Sequence, residues 1–224
     1  NPSQTQTRAH AAEIVREYGP FAGAKEVAGV THDGDRVWAA TGAKLVAFDP
    51  ASGKATRLLD VPCDAGTAFD GTHLYQIAEA RIDKINPVTG EVVASIPAPG
   101  HGGDSGLAWA EGSLWVGQHR DRKIHRIDPA TGAVLRSIES NRLATGVTWV
   151  DGELWHATWE GDECDLRRID PRMGKVLERL EMQLGNGVSG LESDCGDLFF
   201  CGGGRSGKVR VVRRTARRGA KRIE

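Results

Sequence analysis

The chain has 224 residues, with 29 Lys plus Arg against 30 Asp plus Glu, and 29 of its residues are glycine. Glycine is therefore almost twice as frequent as the ~7% that is usual in proteins. No apolar stretch approaches the ~20 residues that a membrane-spanning helix needs. The nine prolines are too few for a low-complexity coil. This composition favours a soluble protein with many turns, and so a fold of many short β-strands.

Basic residues are concentrated at the carboxyl end of the chain. Residues 208–224 contain eight Lys or Arg and one acid, and the other 207 residues carry 21 basic and 29 acidic side chains. A body of net charge −8 is a poor surface for phosphate groups, so we expect no nucleic-acid partner. We interpret residues 214–224 as a basic tail in solvent, as charge runs at chain ends usually are.

The four cysteines contain no C-x-x-C pair, and Cys195 and Cys201 are too far apart in sequence for a standard zinc site. We therefore expect free thiols. The first residues, Asn1-Pro2-Ser3-Gln4, do not form a signal peptide. We expect a cytoplasmic monomer without a membrane partner. A secreted or periplasmic location remains the alternative, because the chain begins without a Met.

A repeat of about 40 residues runs through the sequence. In each copy a strand-initial glycine precedes an aromatic residue by nine positions, with a tight Gly-containing turn between them that predicts a hairpin. A third strand, a turn made by Asp-Pro or Asn-Pro with a later Gly, and a fourth strand follow. Four antiparallel strands in ~40 residues are typical of one propeller blade. The five pairs are Gly29/Trp38, Gly66/Tyr75, Gly106/Trp115, Gly146/Trp155 and Gly190/Phe199.

The fifth copy ends after three strands, and the segment from Glu13 to Tyr18 has the pattern of the missing fourth strand. We therefore predict an all-β protein, a five-bladed β-propeller with four-stranded blades whose last blade is closed by the N-terminal strand. The predicted organisation is an N-terminal extension (1–12), the propeller (13–213) and the basic C-terminal tail (214–224). The strand-2 aromatic residues are expected to pack blade against blade.

A functional site is expected at the mouth of the central channel. The loops between strands 2 and 3 and the loops between blades lie on the same face. The strand 2–3 loops are longer in blades three to five, and the loops that enter blades three and five are the long ones between blades. His101, between glycines, could transfer protons, although a loop histidine without that role is the alternative. Glu192 places a carboxylate on an inner strand where the other copies have Thr or Ala. The candidate substrate-binding residues are Gln76, Asp104, His119, His156, Trp159, Glu160 and Arg205.

No cofactor is expected. A divalent cation, Ca²⁺ or Mg²⁺, is the alternative, because carboxylates from several blades could supply oxygen ligands. The candidate metal ligands are Glu26, Asp64, Asp104 and Glu192.

The blade pattern Gly-x₅-Gly-x-Leu-Trp, followed by Ile-Asp-Pro-x-x-Gly-x-Val, resembles the propellers of streptogramin lyases and of plant- and bacterial-type glutaminyl cyclases. Leu74-Tyr75-Gln76 and the stretch 154–159 (LWHATW) are most similar to cyclase blades. The cyclases are five-bladed, whereas the lyases have seven blades. The resemblance implies a catalytic Glu directly after the strand-2 aromatic residue of blade one, but here Ala39 follows Trp38. The family's Asn-Glu-Leu-Glu stretch corresponds to Ala144–Val147.

These features predict an enzyme that processes a small molecule or short peptide at the channel mouth by acid–base chemistry of a cyclotransferase, lyase or hydrolase type. The rival hypothesis is a non-catalytic propeller that binds a peptide or protein on the same rim. A third is an ion-dependent hydrolase that uses the acidic cluster.

Overall fold

The computed structural model describes residues 8–214, and these residues form 21 strands in five sheets. The predicted all-β five-bladed propeller is confirmed. No helix in the described range is long and apolar enough to cross a membrane. In chain order the strands are β1 (Arg8–Ala11), β2 (Ile14–Tyr18), β3 (Gly29–His32), β4 (Val37–Ala40), β5 (Leu45–Phe48), β6 (Ala55–Leu59), β7 (Thr67–Phe69), β8 (Leu74–Ala78), β9 (Arg81–Ile85), β10 (Val92–Pro97), β11 (Asp104–Ala110), β12 (Ser113–Gln118), β13 (Lys123–Ile127), β14 (Val134–Glu139), β15 (Ala144–Val150), β16 (Glu153–Glu160), β17 (Glu163–Ile169), β18 (Val176–Glu181), β19 (Gly190–Ser193), β20 (Leu198–Gly202) and β21 (Val209–Arg213).

Each of blades one to four is built from four consecutive strands in antiparallel order, from β3–β6 in blade one to β15–β18 in blade four. Blade five combines β19, β20 and β21 with β2 from the other end of the chain. Tyr18 of β2 lies opposite Val209 of β21 in an antiparallel pair. The predicted closure of the ring by the N-terminal strand is therefore confirmed.

The amino-terminal segment also adds a fifth strand to blade four. β1 runs parallel to β18, with Arg8 opposite Glu178 and Ala11 opposite Glu181. From their sequence these residues were expected to form an extension, because Arg-Ala-His-Ala contains no large apolar side chain that would indicate a strand. Because two residues separate β1 from β2, the segment joins the outer edges of blades four and five. Residues 1–7 of the extension and residues 215–224 of the predicted basic tail lie outside the described range.

The strand-2 aromatic residues form the contacts between blades, as predicted. Trp115 and Trp155 are each 1% exposed. The ring of Trp115 lies 5.2 Å from that of Trp149 in the next blade, and Trp155 lies 4.9 Å from Phe199. Burial of such large rings contributes several kcal/mol of stabilisation per blade contact.

The hairpin glycines take the positive φ expected of them in four blades but not in blade five. There Cys195 has φ 64°, and Gly196 is not in the left-handed region. The turn of blade five contains one residue more than those of blades one and two, because Ser193 pairs with Phe199 whereas His32 pairs with Val37. In this turn the carboxylate of Asp194 accepts hydrogen bonds from the backbone N–H groups of Gly196 (2.7 Å) and Leu198 (3.2 Å).

The five strand-initial glycines bring the inner strands into backbone contact around the central channel. A Cβ atom at any of them would lie less than 3.0 Å from a backbone atom of the next blade. Around the ring, Gly29 faces Gly66, then Gly106, Gly146 and Gly190, which faces Gly29 again. These positions require glycine for close approach of two chains rather than for a turn.

We expect Gly106→Ala to lower the free energy of unfolding by about 3 kcal/mol, because its Cβ would meet rigid backbone. Urea denaturation measures this change. Gly196→Ala is the matched control, since its nearest neighbour is a carboxylate oxygen of Asp194 at 3.2 Å, which can move. A Gly106→Ala variant no less stable than the control would refute the steric explanation.

Candidate functional site

A cavity of about 490 Å³ opens on the face that carries the inter-blade loops and the strand 2–3 loops. Its walls come from the segment that enters blade one, the end of β16 in blade four, the segment that enters blade five, and the strand 2–3 loop of blade five. We call it the three-blade cavity. Its lining residues are Glu26, Val27, Ala28, Trp159, Gly185, Gly187, Ser189, Gly203, Gly204, Arg205, Ser206 and Arg210.

Trp159 forms the aromatic wall of the three-blade cavity. Its Nε1 donates a hydrogen bond to the carbonyl oxygen of Gly161 at 3.0 Å, which fixes the orientation of the indole. The ring packs directly on Gly187 and Gly204, and a Cβ atom at Gly187 would overlap it. Because these residues are glycines, the indole can lie flat over the backbone, and the rest of the ring lines the cavity.

Glu26 and Arg205 flank a short antiparallel bridge between Val27 and Gly204. The two bridge hydrogen bonds have N···O distances of 2.9 and 3.0 Å. In an antiparallel pair the residue before one partner lies opposite the residue after the other, so Glu26 and Arg205 meet at the same end of the bridge. Within residues 8–214 neither side chain forms an ion pair, whereas the neighbouring Arg210 is neutralised by Glu17 at 3.2 Å.

The sequence-predicted binding residues Trp159 and Arg205 thus share one cavity with Glu26, which was predicted only as a metal ligand. A signal for Glu26 was present in the repeat. At the same offset before the strand-initial glycine the other copies have Cys63, Gly103, Leu143 and Gly187, so Glu26 is the only acid at that position.

Glu192 lies in the central channel and is half-buried. Its Oε2 accepts a hydrogen bond from Thr31 Oγ1 at 3.0 Å, and its Oε1 accepts bonds from Thr148 Oγ1 at 2.5 Å and from the backbone N–H of Ser193 at 2.8 Å. Burial raises the pKa of Glu192 to about 7, and the three hydrogen bonds oppose part of that rise. The carboxyl group therefore changes charge near neutral pH.

His101 and Asp104 belong to the loop that enters blade three. His101 is exposed and has φ 50°. Asp104 is 7% exposed, and its carboxylate accepts hydrogen bonds from the N–H groups of Gly100 (2.8 Å) and Gly102 (3.4 Å). Burial raises its pKa against these bonds. Asp104 therefore shapes the loop that carries His101, and neither residue lines the three-blade cavity.

The remaining predicted binding residues already have partners inside the protein. Glu160 accepts a hydrogen bond from the N–H of Leu143 at 2.9 Å and pairs with Arg122 at 3.3 Å. His119 is half-buried, and burial together with Arg120 lowers its pKa.

His156 and Gln76 lie in the interior of blades four and two. His156 is 1% exposed, and burial lowers its pKa to about 4, so the ring is neutral at physiological pH. Gln76 is fully buried, and its Nε2 donates to the carbonyl oxygens of Ala65 and Ile77. Its Oε1 has no partner within the described residues.

The four candidate metal ligands do not come together. Among residues 8–214, no three His, Cys, Asp or Glu side chains are grouped so that they could hold a metal ion. Asp64 is exposed, and its Oδ1 accepts a hydrogen bond from the N–H of Glu79 at 3.3 Å. The four cysteines are free thiols, three buried and one, Cys195, exposed.

No protein-family model and no curated protein sequence matches the chain. Among solved structures, the glutaminyl cyclase of Myxococcus xanthus is similar with a TM-score of 0.77 and 18% identity, over 93% of this chain and 98% of that one. The WD40 repeats of RRP9 match with a TM-score of 0.55 and 9% identity, over 93% and 99%. The virginiamycin B lyase of Staphylococcus aureus matches with a TM-score of 0.49 and 15% identity, over 80% and 63%. The chain thus shares the propeller fold of a glutaminyl cyclase.

Proposed function

We propose that the protein is an enzyme that acts on an amine-bearing small molecule or on the amino end of a short peptide in the three-blade cavity. The observation that carries this proposal is the placement of Glu26 and Arg205. They lie opposite each other at one end of the same backbone bridge, beside the Trp159 wall, and neither has an ion-pair partner within the described residues. A ligand with a cationic and an anionic or carbonyl group would satisfy both.

Each of the three side chains has a distinct role in this proposal. Trp159 covers an apolar or planar part of the ligand. Arg205 pairs with a carboxylate or carbonyl oxygen, for which a guanidinium supplies two donors. Glu26 takes a proton from the ligand's ammonium group and so frees its nitrogen lone pair. When that nitrogen attacks a carbonyl carbon, the new C–N bond forms, Glu26 returns its proton to the leaving group, and the bond from the carbonyl carbon to that group breaks. The attacking nitrogen then loses its second proton to the amine that has left, which is released as the ammonium form.

Glutaminyl peptides are the first substrates to test, because the Myxococcus xanthus protein of the same fold is a glutaminyl cyclase. In that reaction the α-amine would attack the side-chain amide and ammonia would leave. The glutamate that the family resemblance places after the strand-2 aromatic residue is Ala39 here, and Ala39 is fully buried. The proposal therefore assigns proton transfer to Glu26 in place of His101 and Glu192.

The test uses the dipeptide glutaminylglycine with two readouts, binding by calorimetry and ammonia release. We expect saturable binding that Arg205→Ala weakens by about tenfold, the cost of one charged hydrogen bond. Trp159→Ala should weaken it by a similar factor through loss of aromatic contact. Binding that neither variant affects would overturn the assignment of the cavity.

The same cavity is also compatible with a peptide-binding propeller that has no activity. The observation favouring it is that, among the lining residues, Glu26 is the sole carboxylate and no histidine accompanies it. Saturable binding of glutaminylglycine without ammonia release would support this second function over the first.

A further inference from the structure

The three blades that form the three-blade cavity are also joined to one another inside the central channel. The carboxyl group of Glu192, in blade five, is bonded to Thr31 in blade one and to Thr148 in blade four. The equivalent inner-strand positions of blades two and three are Ala68 and Ala108, which carry no hydrogen-bonding side chain. This polar bridge is therefore confined to the blades that build the cavity.

Each residue of the bridge is directly connected to a wall of the cavity. Thr31 lies on β3, which follows the segment containing Glu26. Glu192 lies on β19, which follows the glycine-rich segment against which the indole packs. Thr148 lies opposite Trp155 of β16, the strand whose end carries Trp159. A change in the spacing of these inner strands would therefore move the cavity walls.

We propose that Glu192 is a positioning residue for the three-blade cavity, whose carboxyl group sets the spacing of blades four, five and one and thereby the position of Trp159 relative to Glu26. The use of the cavity rests on the function proposed above. The positioning itself is a property of the unliganded protein and can be measured without a ligand.

The bridge depends on the charge of Glu192. As a carboxylate it accepts all three bonds, whereas a protonated oxygen must instead find an acceptor. The titratable groups on the elements packed against β19 are His32 on β3, Asp104 on β11, Glu153, His156 and Glu160 on β16, Cys201 on β20, and Asp194, Cys195 and Asp197 in the following hairpin. Of these, His32 accepts a hydrogen bond from the N–H of Gly34 at 2.9 Å, and Asp104 is bonded within its own loop. Burial outweighs any charge near the carboxyl group, so this group titrates close to pH 7.

The experiment is ¹⁹F NMR of the full chain labelled with 5-fluorotryptophan, in which Trp159→Phe assigns the resonance of Trp159 among the six tryptophans. We expect Glu192→Ala to shift this resonance, and Thr148→Val to shift it as well by removing one of the bonds. Glu192→Gln, whose amide nitrogen donates as the protonated acid does, should hold the resonance near its wild-type position below pH 7 and remove the pH dependence near 7. The control is Asp83→Asn, which alters a 2% exposed carboxylate bonded to Ser95 within blade two and should leave the resonance unchanged.

A Trp159 resonance that stays in place in folded Glu192→Ala and Thr148→Val would overturn the proposal. If Glu192→Ala does not fold, Thr31→Val and Thr148→Val decide the matter, since each removes one hydroxyl group and keeps the carboxylate. A second measurement, the affinity for glutaminylglycine, should fall by about tenfold in Glu192→Ala and much less in Glu192→Gln. Should the wild-type chain not bind this dipeptide, the proposed function fails while the resonance shift still tests the positioning.

Discussion

Glu26→Gln should reduce the turnover of glutaminylglycine by roughly 10²–10⁴-fold, the contribution that a positioned general base usually makes. The amide keeps the shape and hydrogen-bonding capacity of the side chain but cannot take a proton from the ammonium group. Turnover should therefore fall more than affinity, and a comparison of kcat with KM separates the two effects. Ammonia release under saturating and subsaturating dipeptide provides both parameters.

The matched control for this prediction is Asp60→Asn. Asp60 precedes blade two on the same face of the ring, its side chain is 87% exposed, and it pairs only loosely with Lys44 at 3.6 Å. Its replacement should leave kcat unchanged, because an exposed ion pair contributes little and lies outside the cavity. Equal turnover by Glu26→Gln and the wild-type protein would rule out Glu26 as the proton acceptor.

Glu192→Gln should stabilise the protein at neutral and alkaline pH by about 3 kcal/mol, because a shift of one pKa unit corresponds to ~1.4 kcal/mol. Burial raises the pKa of Glu192 from 4.5 to about 7. Below pH 4.5 the group is protonated in both states and has no effect on the pH dependence. Between pH 4.5 and 7 the folded state binds more protons than the unfolded state, so wild-type stability falls as pH rises. Above pH 7 the penalty is complete and constant.

Urea denaturation of both proteins between pH 4 and 8.5 measures this difference directly. The difference in free energy of unfolding between the two proteins should grow from pH 4.5 to pH 7 and then remain constant.

Asp165, a carboxylate whose pKa is lowered rather than raised, serves as the comparison. Burial alone would raise the pKa of Asp165, but hydrogen bonds from Arg167 and Thr158 outweigh it and leave the pKa lowered. Asp165→Asn should therefore destabilise the protein by a constant amount over the same window. A gap for Glu192→Gln that is equal at pH 4 and pH 8 would contradict the prediction.

The strand order of the propeller was accessible from sequence because it depends on local, repeated chemistry. Gly53, Gly90, Gly132 and Gly174 have φ values of 74–78° in the predicted strand 3–4 turns, and the apolar residues alternate as buried strands require. Glu13–Tyr18 could be assigned to blade five because the fifth copy of the repeat contains three strands instead of four. The β1 strand was not predictable in this way, because it pairs through its backbone in parallel with β18 and its side chains are exposed.

The site was predicted less completely than the fold. Trp159 and Arg205 stood out because they depart from the repeat on the correct face. Asp104 and Glu160 depart from it too, but they satisfy N–H groups and guanidinium groups of the protein itself. A sequence offset cannot distinguish a carboxylate that stabilises a loop from one that faces a ligand, because that depends on neighbours distant in the chain.

The amino-acid sequence alone thus determined the number of blades, their strands and the closure of the ring, since each blade repeats the same turns and apolar pattern within ~40 residues. Only the tertiary structure decided which charged groups lack an ion-pair partner among residues 8–214. Glu26 and Arg205 are 179 positions apart in the sequence and meet only because the bridge between Val27 and Gly204 joins the segment entering blade one to the loop of blade five. The role of the strand-initial glycines also became apparent only in the tertiary structure. Their function is the close approach of neighbouring inner strands, which no single repeat contains.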